Sequence, residues 1–142
     1  MSSKSERISQ LVASLQGSGS GLDAHYLGYF ECFNNQRFYE AHDVLEQLWL
    51  KERRQANDLF YKGLIQLAGA FVHLQKNRLP PAGALFKLAA SNLRQYPRQH
   101  QRLDLEGVLA LIQQWIGKLE DGLYAVNPLG PESAPKLYLK AV

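Results

Sequence analysis

The sequence predicts an all-α fold: a compact single-domain bundle of about six helices, with a central antiparallel hairpin and an extended C-terminal tail. Three observations predict it. Six segments repeat apolar residues every three or four positions and none sustains the alternation of a half-buried strand, so no strand pair is expected before Gly122. The 142 residues are 46% apolar and 20% charged, which suits one core and leaves little room for a second. Cys32 is the only cysteine, so no intramolecular disulfide is available and packing must hold the chain together.

The first segment, Ser5 to Gln16, places Ile8, Leu11, Val12 and Leu15 on one face and stops at the glycine and serine run from Gly17 to Gly21. Residues 1–21 therefore read as a peripheral helix on a flexible tether. The second segment, about Leu22 to Phe33, aligns Leu22, Tyr26, Phe30 and Phe33, with His25, Tyr29 and Cys32 beside them, and Asn34 and Asn35 suit its exit. The third, about Gln36 to Lys51, carries Phe38, Ala41, Leu45, Leu48 and Trp49, and His42 falls inside that stripe. The fourth, near Gln55 to Asn77, is apolar around most of its circumference, which places it in the middle of the bundle. Its polar stripe is narrow, made of Lys62, Gln66, Gly69, His73 and Lys76.

Pro80 and Pro81 fit the first turn of a helix, where a missing N–H is not needed, and the short link before them makes segments four and five antiparallel neighbours. The fifth segment, about Pro81 to Tyr96, offers Leu85, Leu88, Ala89, Leu93 and Tyr96 to the core. Asp104 is the expected N-cap of the sixth, which runs to about Asp121 on Leu105, Val108, Leu109, Ile112, Ile116 and Leu119. The helical core thus spans residues 22–121. Residues 122–142, with Pro128, Pro131 and Pro135, read as an extended tail that packs Leu137, Tyr138 and Leu139 onto the bundle. Segments four and five are loosely tetratricopeptide-like, but no other pair matches their spacing, so a solenoid is the lesser alternative.

Composition excludes a disulfide scaffold, collagen and low-complexity disorder, and no run of about 18 apolar residues is present to span a bilayer. The start MSSKSERISQ lacks the apolar stretch of a signal peptide, so a cytoplasmic protein without a membrane partner is expected. The net charge is +3, and the second half, residues 71–142, holds nine Lys and Arg against five Asp and Glu. The excess thickens at Arg94, Arg98, His100 and Arg102, where cations near the end of a helix are favoured by its dipole without any ligand. A nucleic-acid partner ranks third among the functional readings on that account.

Phosphate-binding glycine loops, HExxH, paired CxxC motifs and nucleophile elbows are absent from the sequence. What stands out is the third segment, where Glu40, His42, Glu46 and Trp49 lie close together. A histidine on an apolar stripe needs a hydrogen-bond partner, since an unpaired buried polar group costs about 1–3 kcal/mol, and Glu46, one turn on, is the nearest carboxylate on that stripe. The expected arrangement is therefore a direct or water-bridged His42–Glu46 contact covered by Trp49. Gln66 and His73 form a second set two turns apart, with Gly69 between them allowing close approach. Two readings follow. One is a structural network fixing the register of segments three and four, or a solvent-facing window for Gln66 and His73. The other is a metal or proton-transfer site using His42, Glu46 and His73, a two-nitrogen, one-carboxylate ligand set. Cys32 reads as a core filler. The aromatics of segments two and three are dense enough that two or three left outside would form an oligomer or partner surface.

The stretch from Phe33 to Leu93 resembles the uncharacterised, largely prokaryotic family called domain of unknown function 309. The resemblance is carried by FN at Phe33 and Asn34, RFYEAHDVLEQLW from Arg37 to Trp49, FYKGLIQLAGAFVHLQKN from Phe60 to Asn77, and Gly83 with Ala84. The family pattern has residues matching Glu40, His42, Glu46, Trp49, Gln66 and His73, and it implies a compact helical bundle with no established activity. A non-catalytic binding or interaction module therefore stands ahead of a metal-assisted enzyme, and the sequence specifies no cofactor or partner.

Overall fold

The computed structural model describes residues 3–141; the outermost residues assigned to the domain, 1, 2 and 142, lie outside the described residues. The described chain folds into α1 (Lys4–Leu15), α2 (Ala24–Asn34), α3 (Phe38–Glu52), α4 (Asp58–Gln75), α5 (Leu79–Leu93) and α6 (Leu105–Asp121), with a hairpin of β1 (Gln99–His100) and β2 (Leu103–Asp104) between α5 and α6. The predicted all-α class holds. The expectation of no strand pair before Gly122 fails at this hairpin, whose strands are two residues long and antiparallel. A strand that short leaves no periodicity to read. Its turn places Gln101 and Arg102 at φ 46° and 61°, positions where a tight hairpin usually has Asn and Gly. Tertiary contacts supply what local chemistry lacks: the Tyr26 hydroxyl donates to the Gln101 carbonyl at 3.0 Å, and the Lys140 N–H donates to that of Arg102 at 2.8 Å.

Hydrogen bonds at both ends show that α3 and α4 run antiparallel. Trp49 near the end of α3 donates to Asp58 at the start of α4 at 2.7 Å, while Gln75 at the end of α4 donates to the carbonyl of Gln36 just before α3 at 3.0 Å. The pairing of α4 with α5 is antiparallel too, because Gly63 lies against Leu93 and Gly69 against Leu85. A Cβ at Gly63 would fall 2.8 Å from Leu93 Cγ, so the missing side chain is what lets these two helices approach so closely.

Around α4 four of the other five helices converge on one ring. Phe71 stacks on Phe38 of α3 at 4.9 Å and meets Phe33 of α2, Phe86 of α5 and Trp115 of α6 edge-on at 5.6, 5.2 and 5.0 Å. Rings from four elements closing on a fifth make a bundle with a shared centre, in contrast to a solenoid, where each repeat touches only its neighbours. Trp115 was not among the apolar positions read for the sixth segment, yet it is one of the largest fully buried side chains. The hydroxyl of Tyr29 donates to the Leu64 carbonyl at 2.7 Å, which satisfies the polar end of a buried ring.

The tail docks through its backbone. Asn34 Nδ2 donates to the Leu137 carbonyl at 2.8 Å and Asn34 Oδ1 accepts from the Leu137 N–H at 2.7 Å, so this asparagine holds the tail. The left-handed exit of α2 falls instead on Gln36, at φ 60°. Leu137 is buried and Leu139 half-buried, but Tyr138, expected on the bundle, is 68% exposed because consecutive residues of an extended segment face opposite ways.

Phe71→Ala is expected to destabilise the protein by about 3–5 kcal/mol, since the cavity would be lined by four rings held on four separate helices. Equilibrium denaturation beside wild type checks this, and a loss below about 1 kcal/mol would show that the centre collapses freely.

Candidate functional site

Helix α3 presents Tyr39 and His42, α4 and its C-cap present Gly69, Val72, His73 and Lys76, and α5 presents Leu85; together they line an open cleft of about 240 Å³. The helices reach each other here because Gly69 is buried without a side chain, so its backbone forms the floor. A Cβ there would lie 3.2 Å from Leu85 Cδ1 and 3.9 Å from the His42 ring. His42 and His73, 31 positions apart in the chain, thus share one cleft.

Their environments differ. His42 Nδ1 lies 3.0 Å from Asp43 Oδ1, and because a carboxylate only accepts, Nδ1 carries the proton and neutral His42 keeps its Nε2 lone pair. The other oxygen of Asp43 pairs with Lys4 of α1, whose ammonium also lies 3.9 Å above the ring of Tyr39. His73 Nδ1, by contrast, is the buried side-chain nitrogen or oxygen left without a hydrogen-bond partner among the described residues. Burial, reinforced by the positive charges of Arg78 and Lys76, pushes the His73 pKa below its usual 6.5, so the ring is neutral at neutral pH.

A direct His42–Glu46 contact is not formed. Asp43 takes the imidazole, drawn to that side of α3 by Lys4, and the Glu46 carboxylate has no hydrogen-bond or ion-pair partner among the described residues. Nor does Trp49 cover His42. Seven residues along a helix is about 10 Å, and the indole instead closes the turn between α3 and α4 by donating to Asp58. Glu40 faces α1, where its Oε1 accepts from Arg7 Nε and Nη2 at 3.2 and 2.9 Å. Gln66 accepts from Asn92 of α5 at 2.7 Å and so belongs to the α4–α5 contact. Of the six singled-out residues, the structure brings only His42 and His73 into one cleft. Among the described residues no group of three His, Cys, Asp or Glu side chains is placed to hold a metal ion, so the set of His42, Glu46 and His73 does not assemble.

Sequence reading placed Lys76 on the polar stripe of the fourth segment but counted none of Tyr39, Asp43 and Lys76 among the candidate site residues. Tyr39 had a signal, being an aromatic next to the apolar stripe; Asp43 had none, because its partner Lys4 lies in a segment read as loosely tethered. A larger hollow of about 520 Å³ lies at the α3–α4 turn beside Leu50, Arg53, Arg54 and Asp58. Its one carboxylate is engaged, with Asp58 accepting from the Trp49 indole and from the Arg54 N–H, both at 2.7 Å. These bonds, the backbone one foremost, hold the Asp58 pKa below its usual 3.8. Cys32 is buried, and burial with the nearby Glu40 pushes its thiol up to about 11, which fits a core filler. His100 is equally structural, packed edge-on against Phe60 at 4.7 Å with Nε2 2.7 Å from Asn57 Oδ1.

Comparison with known proteins places this cleft in a family segment. A family model described as Domain of unknown function (DUF309) matches residues 26–85. Residues 26–85 are thus similar to the DUF309 family. The segment begins at Tyr26 and ends at Leu85, seven residues earlier and eight residues earlier than the limits of the resemblance read from sequence, and it contains every residue that lines the cleft. A protein of Aquifex aeolicus (strain VF5), named only "Uncharacterized protein", is 30% identical over 91 residues, 63% of this chain and 27% of that protein. The chain therefore spans about a quarter of the length of this relative. No solved structure matches the chain. Among the described residues no helix is long and apolar enough to cross a membrane.

Two outcomes check this geometry. His42→Ala should lower stability by less than about 1 kcal/mol in thermal or chemical melts, because the imidazole is partly exposed and Asp43 keeps Lys4; a larger loss would mean the ring supports the fold. Asp58→Asn should lower the melting temperature at neutral pH. Because the folded pKa of Asp58 is depressed, its contribution is complete above the usual carboxylate value and is lost as pH falls through the folded one. The gap between variant and wild type should therefore narrow on acidification, and a pH-independent gap would count against the Asp58 contacts.

Proposed function

We propose that this protein is a small binding module without catalysis, one folding unit over residues 1–142, whose DUF309 segment holds a small molecule in the cleft between α3, α4 and α5. The observation that carries this reading is the unpartnered, buried Nδ1 of His73, a residue whose ring lines the cleft. A protein with no functional use for that nitrogen would gain by replacing the ring with an apolar side chain, since leaving it unmade costs about 1–3 kcal/mol. Sites that bind ligands commonly forgo such stability. A continuous apolar core from Ile8 to Leu137 supports the single folding unit.

Binding is favoured over metal-assisted catalysis because the three ligands that catalysis requires do not meet. It is favoured over self-association through an aromatic surface for a similar reason. Of the aromatics in α2 and α3, Tyr26, Tyr29, Phe30, Phe33 and Phe38 are buried and Trp49 is half-buried. Tyr39 is 51% exposed and flanked by Lys4 and Lys76, a charged surround unsuited to an apolar interface. A cytoplasmic setting fits the free buried thiol of Cys32.

The test is a fragment screen read by amide NMR on the whole protein, with His73→Leu alongside. Fragments that bind should shift the amides of His42, Gly69, His73 and Lys76 together, and His73→Leu should melt no lower than wild type while losing those shifts. A screen that never moves this group, or a His73→Leu variant destabilised by more than about 1 kcal/mol, would remove the reading.

A further inference from the structure

Among the residues lining the cleft there is no carboxylate. The acidic side chains nearest in sequence on α3 are engaged elsewhere: Asp43 by His42 and Lys4, and Glu40 by Arg7. Glu46 remains unpartnered, but it sits a turn further along α3 and does not line the cleft. Positive charge, by contrast, gathers at one end. Lys76 lines the cleft with its ammonium 5.8 Å from the centre of the Tyr39 ring, Lys4, paired with Asp43, lies over the same ring, and after burial the charges of Arg78 and Lys76 also disfavour protonation of His73.

This arrangement discriminates among ligand charges. A cation entering the cleft would meet Lys76 with no carboxylate among the lining residues to balance it. The His73 ring lines the cleft, and as a neutral imidazole it has one N–H donor to offer an anionic oxygen. The cleft also has an apolar part, made by Val72 of α4 and Leu85 of α5 beside the bare Gly69 backbone. At about 240 Å³ the space falls below the range of about 300–1,000 Å³ usual for drug-sized ligands, so the occupant is short.

We propose that the cleft binds a small organic anion, its oxygens held between His73 and Lys76 and its apolar end against Val72 and Leu85, an inference that rests on the cleft being a binding site. The shared chemistry is an oxyanion, either a carboxylate or a phosphate.

Titration of the full chain with butyrate, butyramide and inorganic phosphate, followed on the side-chain resonances of His42 and His73, tests it. Butyrate should shift both imidazoles saturably, the isosteric neutral butyramide should bind about tenfold more weakly or less, and Lys76→Gln should weaken butyrate by about fivefold to tenfold with an unchanged melt. Saturation by inorganic phosphate in place of butyrate would support the oxyanion and identify it as a phosphate. Equal binding of butyrate and butyramide, or a Lys76→Gln variant that binds butyrate as wild type does, would overturn the anion while leaving the cleft a binding site. Silence toward all three probes with fragment hits elsewhere in the screen would do the same, whereas silence of both imidazoles toward probes and fragments alike would remove the underlying reading as well.

Discussion

The packing of four aromatic rings around Phe71 is the interaction on which the rest of this structure depends. Phe33, Phe38, Phe86 and Trp115 arrive from α2, α3, α5 and α6, and each comes within 5.6 Å of the Phe71 centroid. Rings pack in few orientations, stacked or edge-on, so five of them in contact restrict the rotation and height of every helix that contributes one. Helix α4 can be apolar around most of its surface only because these partners surround it. Its remaining polar stripe then has one place to go, the seam between α3 and α5.

That seam explains the cleft. With α3 and α5 both pulled onto α4 by the ring cluster, the side of α4 carrying Gln66, Gly69 and His73 is left narrow and partly covered. Gln66 is satisfied by Asn92. At Gly69 no side chain fills the gap, and His73 is left with a nitrogen inside and no acceptor or donor for it. A void beside an unpaired polar atom is costly on both counts, loss of dispersion contacts and loss of a hydrogen bond. The bundle tolerates it there and almost nowhere else among the described residues, which is the physical basis for regarding it as a site.

Helix α1 bears on the same place from outside. It lies outside the stretch similar to DUF309 and packs Ile8 and Val12 into the core, with Leu11 against Gly28. Its Lys4 and Arg7 pair with Asp43 and Glu40, which neutralises the two carboxylates flanking His42 on α3. The tether after it, with Gly17, Gly19 and Gly21 all at positive φ, is built from residues for which that backbone costs nothing. The electrostatic character of the cleft is thus partly set by a helix joined to the bundle through glycine.

The sequence by itself determined the helices, the hairpin order and the centrality of α4, because amphipathic spacing and proline and glycine placement are local properties that survive without neighbours. It also pointed to His42, Gly69 and His73, since a histidine on an apolar stripe and a glycine on a helix are visible one element at a time. Which partner each side chain takes was decided only in the tertiary structure. Asp43 instead of Glu46 holds His42 because Lys4 reaches across from α1; Trp49 turns to Asp58 because the α3–α4 link brings that carboxylate within 2.7 Å; and Asn34 serves the tail because Leu137 returns to it from 103 positions away. The small hairpin at Gln99–Asp104 was invisible for the same reason, since two-residue strands are held by Tyr26 and Lys140 rather than by their own propensity. Long-range partners are set by how helices pack, and packing is a property of the whole set of faces at once.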